Sequence, residues 1–221
     1  MKILLAVTTH WTGPAPEIIS ESWYAALKSG ADEVRMFTVG QTPAIPLPFG
    51  DTHRVHLGPN PGHQSGERAL LIGAMAEAEK LGCDWIVKVA GDCIHTGTGW
   101  ARKWVEAAKG MEATIIGDRW PELHNWRETG NTTELLRVMP QTKVFAGSVK
   151  FLRATWPLTD SGFIERDWEL RIKQGGWWAL VRLIAADEVD AYGQGSQQVW
   201  LPKSGPLRFK HCHAVGELPH G

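Results

Sequence analysis

The stretch Asp84-Trp85-Ile86-Val87-Lys88-Val89-Ala90-Gly91-Asp92-Cys93 limits what this chain can fold into more than any other. Trp85, Ile86, Val87 and Val89 form a short apolar run rich in β-branched residues, bounded by Gly82 and Gly91, as in a buried strand. Ahead of it Leu70, Leu71, Ala74, Met75, Ala78 and Leu81 fall on one face of a helix predicted over 66–81. Ser65 suits the N-cap of that helix, Glu67 its first turn and Gly82 its C-terminal cap. Helix, tight turn, apolar strand and terminal carboxylate make half of an α/β unit. Ligands of open α/β sheets gather beyond the carboxyl ends of the strands, so Asp92 stands where chemistry is expected.

The flanking sequence repeats the pattern. Ile3 to Val7 reads as a central strand, Ile18 to Leu27 as a helix closed by Gly30, and Val34 to Val39 as a second strand. Residues 40–66 hold Pro43, Pro46, Pro48, Pro59 and Pro61, which predicts a long loop with one strand at Arg54 to Leu57. After Asp92, residues 94–99 read as a loop, Trp100 to Ala108 as a helix and Ala113 to Gly117 as a strand. Residues 118–142 lack clean periodicity. The run from Val144 to Leu152 reads as a strand feeding a short helix, and Glu165 to Gln174 as a helix stopped by Gly175-Gly176. Gly193 to Gln197 reads as a loop. The expected fold is α/β, with a mainly parallel, mixed sheet flanked by helices.

The length of 221 residues allows one large α/β domain or two small ones, and no repeat or boundary divides the chain. A formal net charge of −1 argues against a polyanion binder, though a local basic groove stays open. Three cysteines, Cys83, Cys93 and Cys212, make no disulfide framework and fit a reducing compartment. The apolar start ends at Thr8-Thr9-His10, too short for a signal peptide, and no stretch reaches membrane-spanning length. A cytoplasmic protein is expected. Twelve tryptophans fit either core packing or stacking against sugar rings and bases.

Three groups of residues carry candidate chemistry. Asp92 is either a turn former or a hard ligand for Mg2+ or Mn2+ against a diphosphate. In His211-Cys212-His213 an extended chain puts both imidazoles on one face, either as a solvated tail or with one histidine joining Asp92 on a divalent ion. In the segment 163–171, Asp167 and Glu165 are either part of a solvated face, with Asp167 paired to Arg171, or a general base toward a hydroxyl.

The order of these motifs resembles that of GT-A-fold glycosyltransferases of the inverting, family-2-like type. Ile3 to Thr9 matches the strand that opens the nucleotide pocket, and Asn60-Pro61-Gly62 matches an Asn-x-Gly stretch. The strand ending at Asp92 matches one ending in Asp-x-Asp, with Ala90 in the first Asp position. Glu165-Arg166-Asp167-Trp168-Glu169-Leu170-Arg171, with Gly175-Gly176 behind, matches the acidic helix motif, and His211 or His213 matches a C-terminal metal-binding histidine. The resemblance implies a transferase that moves a sugar from a nucleotide-diphosphate donor to a hydroxyl acceptor, with Mn2+ or Mg2+. Residues 1–117 would bind the nucleotide-sugar through Thr8, Thr9, Asn60, Lys88 and Asp92, Lys88 or Cys93 standing in for the contact that Ala90 lacks. Residues 118–221 would bind the acceptor, a glycan, a small molecule or a hydroxymethylated DNA base. Asp92, His211 and His213 would hold the metal. Asp167, with Trp168 excluding water beside it, would be the base, and Glu165 its alternative. Two rivals remain: a non-catalytic carbohydrate- or nucleotide-binding relic of the fold, and a sugar-phosphate nucleotidyltransferase, which wants a Gly-rich basic loop absent after the first strand.

Overall fold

The computed structural model describes residues 1–10, 16–40, 53–95, 97–119, 140–158, 164–177, 181–184, 187–190 and 208–211. In chain order the elements are β1 (Ile3–His10), α1 (Pro16–Leu27), β2 (Glu33–Val39), β3 (Arg54–His56), α2 (His63–Leu81), β4 (Trp85–Ala90), β5 (Cys93–His95) and α3 (Trp100–Gly110). There follow β6 (Ile115–Arg119), β7 (Pro140–Ser148), α4 (Val149–Thr155), α5 (Ile164–Gln174), β8 (Val181–Ile184), β9 (Asp187–Asp190) and β10 (Arg208–His211). The expected α/β fold is present. Among the described residues one sheet has the order β3-β2-β1-β4-β7-β6-β8 and a small one the order β5-β10-β9. In the large sheet β7 runs against β4 and β6, and the other pairs are parallel.

From Ile3 to Val7 β1 is apolar because both its faces are covered, the usual state of a central parallel strand. Ile3, Leu5 and Val7 join Trp23 of α1 and Trp104 of α3 on one side. Leu4 and Ala6 join Leu70, Leu71 and Met75 of α2 on the other. β4 divides likewise: Trp85, Val87 and Val89 face the α1 and α3 side, and Ile86 faces α2. Lys88 shares the parity of Ile86 and therefore points toward α2.

Several boundaries differ from the expectation, each for a local reason. α2 begins at His63 without a side-chain cap, so Ser65 lies inside its first turn and Glu67 in its second. Gly62, at φ 101°, and the Asn60 side chain, which accepts from the Gly62 N–H at 3.0 Å, build the turn that launches the helix earlier. Gly82 does cap its end in the left-handed conformation, φ 66°. Residues 93–95, read mostly as loop, form β5, because their partner β10 lies more than a hundred residues away in sequence. The predicted strand at 113–117 starts later, at Ile115, and β7 reaches back to Pro140. Pro43, Pro46 and Pro48, residues 120–139, the Gly193 to Gln197 stretch, Cys212 and His213 lie outside the described residues. No helix among the described residues is long and apolar enough to cross a membrane.

Trp23, Trp85, Trp100, Trp104, Trp156 and Trp168 are buried, so for these six core packing is the role taken. Trp168 of α5 lies 4.8 Å from Trp156 in an edge-on contact and 5.3 Å from Phe145, and its indole N–H donates to the Thr155 hydroxyl at 3.0 Å. We expect Trp168→Ala to lower unfolding free energy by about 3–5 kcal/mol. In urea titration the midpoint should drop at an unchanged m-value, whereas a loss below about 1 kcal/mol would show that α5 does not depend on this contact.

Candidate active site

Thr8, Thr9, Lys88 and Asp92, four of the residues singled out by sequence, lie at or near the carboxyl ends of β1 and β4. β1 and β4 end side by side, with Thr8 opposite Ala90. The Gly91 N–H then donates to the Thr8 carbonyl at 2.7 Å, folding the chain across the end of β1. A Cβ at Gly91 would lie 3.2 Å from the Thr9 Cβ, a tight approach. Thr8 and Thr9 are buried, and the Thr8 hydroxyl donates to the Val89 carbonyl at 3.4 Å.

The turn delivers Asp92 half-buried at the edge, with the Cys93 thiol donating to its Oδ1 at 3.7 Å. Cys93 itself belongs to the core, and its carbonyl accepts from the Ser22 hydroxyl at 3.1 Å. β10 then pairs antiparallel with β5, setting His211 opposite Cys93, one residue from Asp92. On its other side His211 pairs with Asp190 of β9. His95, at the far end of β5, is stacked on Trp100 at 3.9 Å and 13°. Asn60 takes part in the turn before α2, and His213 lies outside the described residues. Among the described residues no group of three metal-binding side chains is assembled. The Asp92 carboxylate at the edge is a hard oxygen donor of the kind that suits Mg2+ or Mn2+.

A second cluster lies on the α2 side of the same edge. Lys88 is 1% exposed, its ammonium bound by the Glu67 carboxylate of α2 and donating to the Thr142 carbonyl at the start of β7. The Thr142 hydroxyl donates to Glu165 Oε1 at 2.8 Å, in the first turn of α5. The first turns of α2 and α5 also meet directly, the Ile164 N–H donating to Gln64 Oε1 at 2.9 Å. Buried Arg68 faces Asp167 at 3.7 Å. Asp167 and Glu165 thus share one turn but differ in access. Glu165 is enclosed, whereas the Asp167 side chain is 18% exposed. Trp168, expected to shield Asp167, turns into the core, because successive helical residues point about 100° apart. Arg171 donates to the Trp156 carbonyl at 3.1 Å.

Burial pushes the Glu165 carboxyl above the usual carboxylate range; the nearby Glu67 charge adds to this, and the Thr142 hydrogen bond and Lys88 oppose it. Glu169, one turn along, is also raised by burial against the opposing pull of Lys173 at 2.9 Å. Sequence reasoning missed Glu67 as a partner, and missed Arg68 and Thr142 altogether. The available signal was Lys88 itself, since a lysine inside a buried strand demands a counter-charge from a neighbouring element.

A carboxyl whose pKa is raised on folding contributes stability that is complete below its unfolded pKa. That contribution is lost as pH rises through the folded value. We therefore expect Glu165→Gln, which keeps an acceptor for Thr142, to flatten the loss of thermal stability above the ordinary carboxylate range. Melting temperatures of the two proteins from pH 4 to 8 check this. Parallel curves would show that Glu165 titrates normally.

No protein-family model and no curated protein matches the sequence. Solved structures do. The chain is similar to glucosyl-3-phosphoglycerate synthase from Mycobacterium tuberculosis in complex with Mn2+ and UDP-glucose, with a TM-score of 0.57 and 10% identity over 83% of this chain and 68% of that one. The same enzyme with Mn2+, UDP and glucosyl-3-phosphoglycerate gives a TM-score of 0.58 at 12% identity, covering 83% and 69%. A mycobacterial protein of unstated activity gives 0.53 at 12% identity, covering 81% and 63%. At such identities the likeness lies in the architecture alone: the chain has a GT-A-like fold.

Proposed function

We propose that this chain is a glycosyltransferase that moves a sugar from a nucleotide-diphosphate donor to a hydroxyl acceptor, with inversion and with Mn2+ or Mg2+. The observation that carries the reading is the pairing of β5 with β10, in which Cys93, next to Asp92, lies opposite His211. It is supported by the solved neighbour, which is in complex with UDP-glucose and Mn2+ in one crystal and with UDP and Mg2+ in another. Residues 1–117 would take the donor and residues 118–221 the acceptor.

In this reading Thr8, Thr9 and Asn60 line the approach of the nucleotide, and Asp92 with His211, joined by His213, would hold the ion. A divalent ion there supplies Lewis-acid neutralisation of the leaving diphosphate. Asp167 takes the proton of the acceptor hydroxyl, because it keeps an open face while Arg68 orients its carboxylate. Glu165 is the alternative base, and Lys88 supports the site from within. Ala90, where the resemblance calls for a second carboxylate, favours one rival: a protein of the same fold that binds a nucleotide-sugar without turning it over.

Calorimetry with UDP and Mn2+, extended to the other nucleoside diphosphates, tests the donor site. Asp92→Asn should keep the fold and lose at least about tenfold in metal-dependent affinity, and unchanged affinity would remove Asp92 from the site. Donor hydrolysis that depends on Mn2+ separates the enzyme from the binding rival. Once a turnover assay is in hand, Asp167→Asn should lower turnover about 10²–10⁴-fold with binding intact. Near-normal turnover there, with Glu165→Gln inactive, would move the role to Glu165.

A further inference from the structure

Lys88 has a place in the fold that neither the resemblance nor the donor site explains. Its ammonium is enclosed, and its partners come from two other elements, Glu67 on α2 and the Thr142 carbonyl on β7. Thr142 carries the connection on through its hydroxyl to Glu165 on α5. Four elements are joined by one unbroken run of polar contacts directly under the turn that bears Asp167. Charged hydrogen bonds are directional, so a run of them fixes orientation more tightly than apolar contact does. Further along α5, Trp168 and Ile172 are held by packing in the core. Its first turn is held by this run, by the Gln64 contact, by Ile164 and by the Arg68–Asp167 pair.

Resting on the glycosyltransferase reading, we infer that Lys88, through Glu67 and Thr142, is a positioning residue that sets the first turn of α5, and with it Asp167, against the cleft. It acts in place of touching the donor. Misplacing a reacting group by about 1 Å can cost about 10²-fold in rate, so such a device has kinetic consequences at a distance.

Replacing Lys88 alone would strand the Glu67 carboxylate in the interior, and that variant could fail to fold for this reason. The informative protein is the double variant Lys88→Met with Glu67→Leu, which removes both charges at similar volume. Backbone amide exchange is read across residues 164–168, together with UDP affinity in Mn2+ and donor turnover. We expect a folded double variant, UDP affinity within about twofold of the parent, exchange at 164–168 faster by about tenfold or more, and turnover down about 10²-fold. Thr142→Val, which cuts the run without touching the ion pair, should loosen the same turn. Unchanged exchange at 164–168 in both variants overturns the inference. So does a loss of UDP affinity in the double variant matching its loss of turnover, since Lys88 would then serve the donor. If the parent protein binds no nucleotide and turns over no donor, the glycosyltransferase reading fails separately, and the exchange measurement still decides whether Lys88 positions α5.

Discussion

Taking the Lys88 ammonium out of water has an effective cost of several kcal/mol, and the arrangement around β4 is organised to offset it. The counter-charge has to come from α2, because on that face of the strand Ile86 and Ala90 are the neighbouring positions and neither has a polar side chain. The remaining donor capacity goes to a carbonyl at the start of β7, the strand that runs against β4. One buried cation therefore dictates how closely the second turn of α2 and the first residues of β7 approach. Deleting either charge alone leaves the other uncompensated, so the pair acts more as a specification of geometry than as net stabilisation.

The large sheet makes that specification matter. β1, covered on both faces, is the element against which β2 and β4 align in parallel register. Parallel register brings the strand ends to one edge, and the helices that return from that edge start there as well. Thr8 and Gly91 come together for this reason, and the first turns of α2 and α5 meet through Gln64 and Ile164, without any local signal joining them. β7, antiparallel, brings its beginning to the same edge and so delivers Thr142 to Glu165.

Within α5, two carboxylates two residues apart are given different surroundings. Glu165 is enclosed beside Thr142, and burial favours its neutral form. Asp167 faces a guanidinium and keeps contact with solvent. Separation of this kind is how one segment can supply both a structural and a reactive carboxylate, and periodicity alone cannot say which is which.

By itself the sequence determined the α/β class, the buried β4 with Asp92 in the turn just past its end, the Gly82 cap and the helical run of α5. Each of these depends on contacts within a few residues or on hydrophobic periodicity, and the chain order then carried the resemblance to GT-A enzymes. The start of α2 was misread because the turn at Asn60 to Gly62 outweighed Ser65 as a cap. β5 was misread because three residues hold no periodicity and its partner β10 is remote. The Lys88–Glu67–Thr142–Glu165 run, the Arg68–Asp167 pair and the register that sets His211 beside Cys93 were decided by tertiary structure alone. They join residues tens to more than a hundred positions apart, and only the closing of the sheet determines which polar groups are left to satisfy one another.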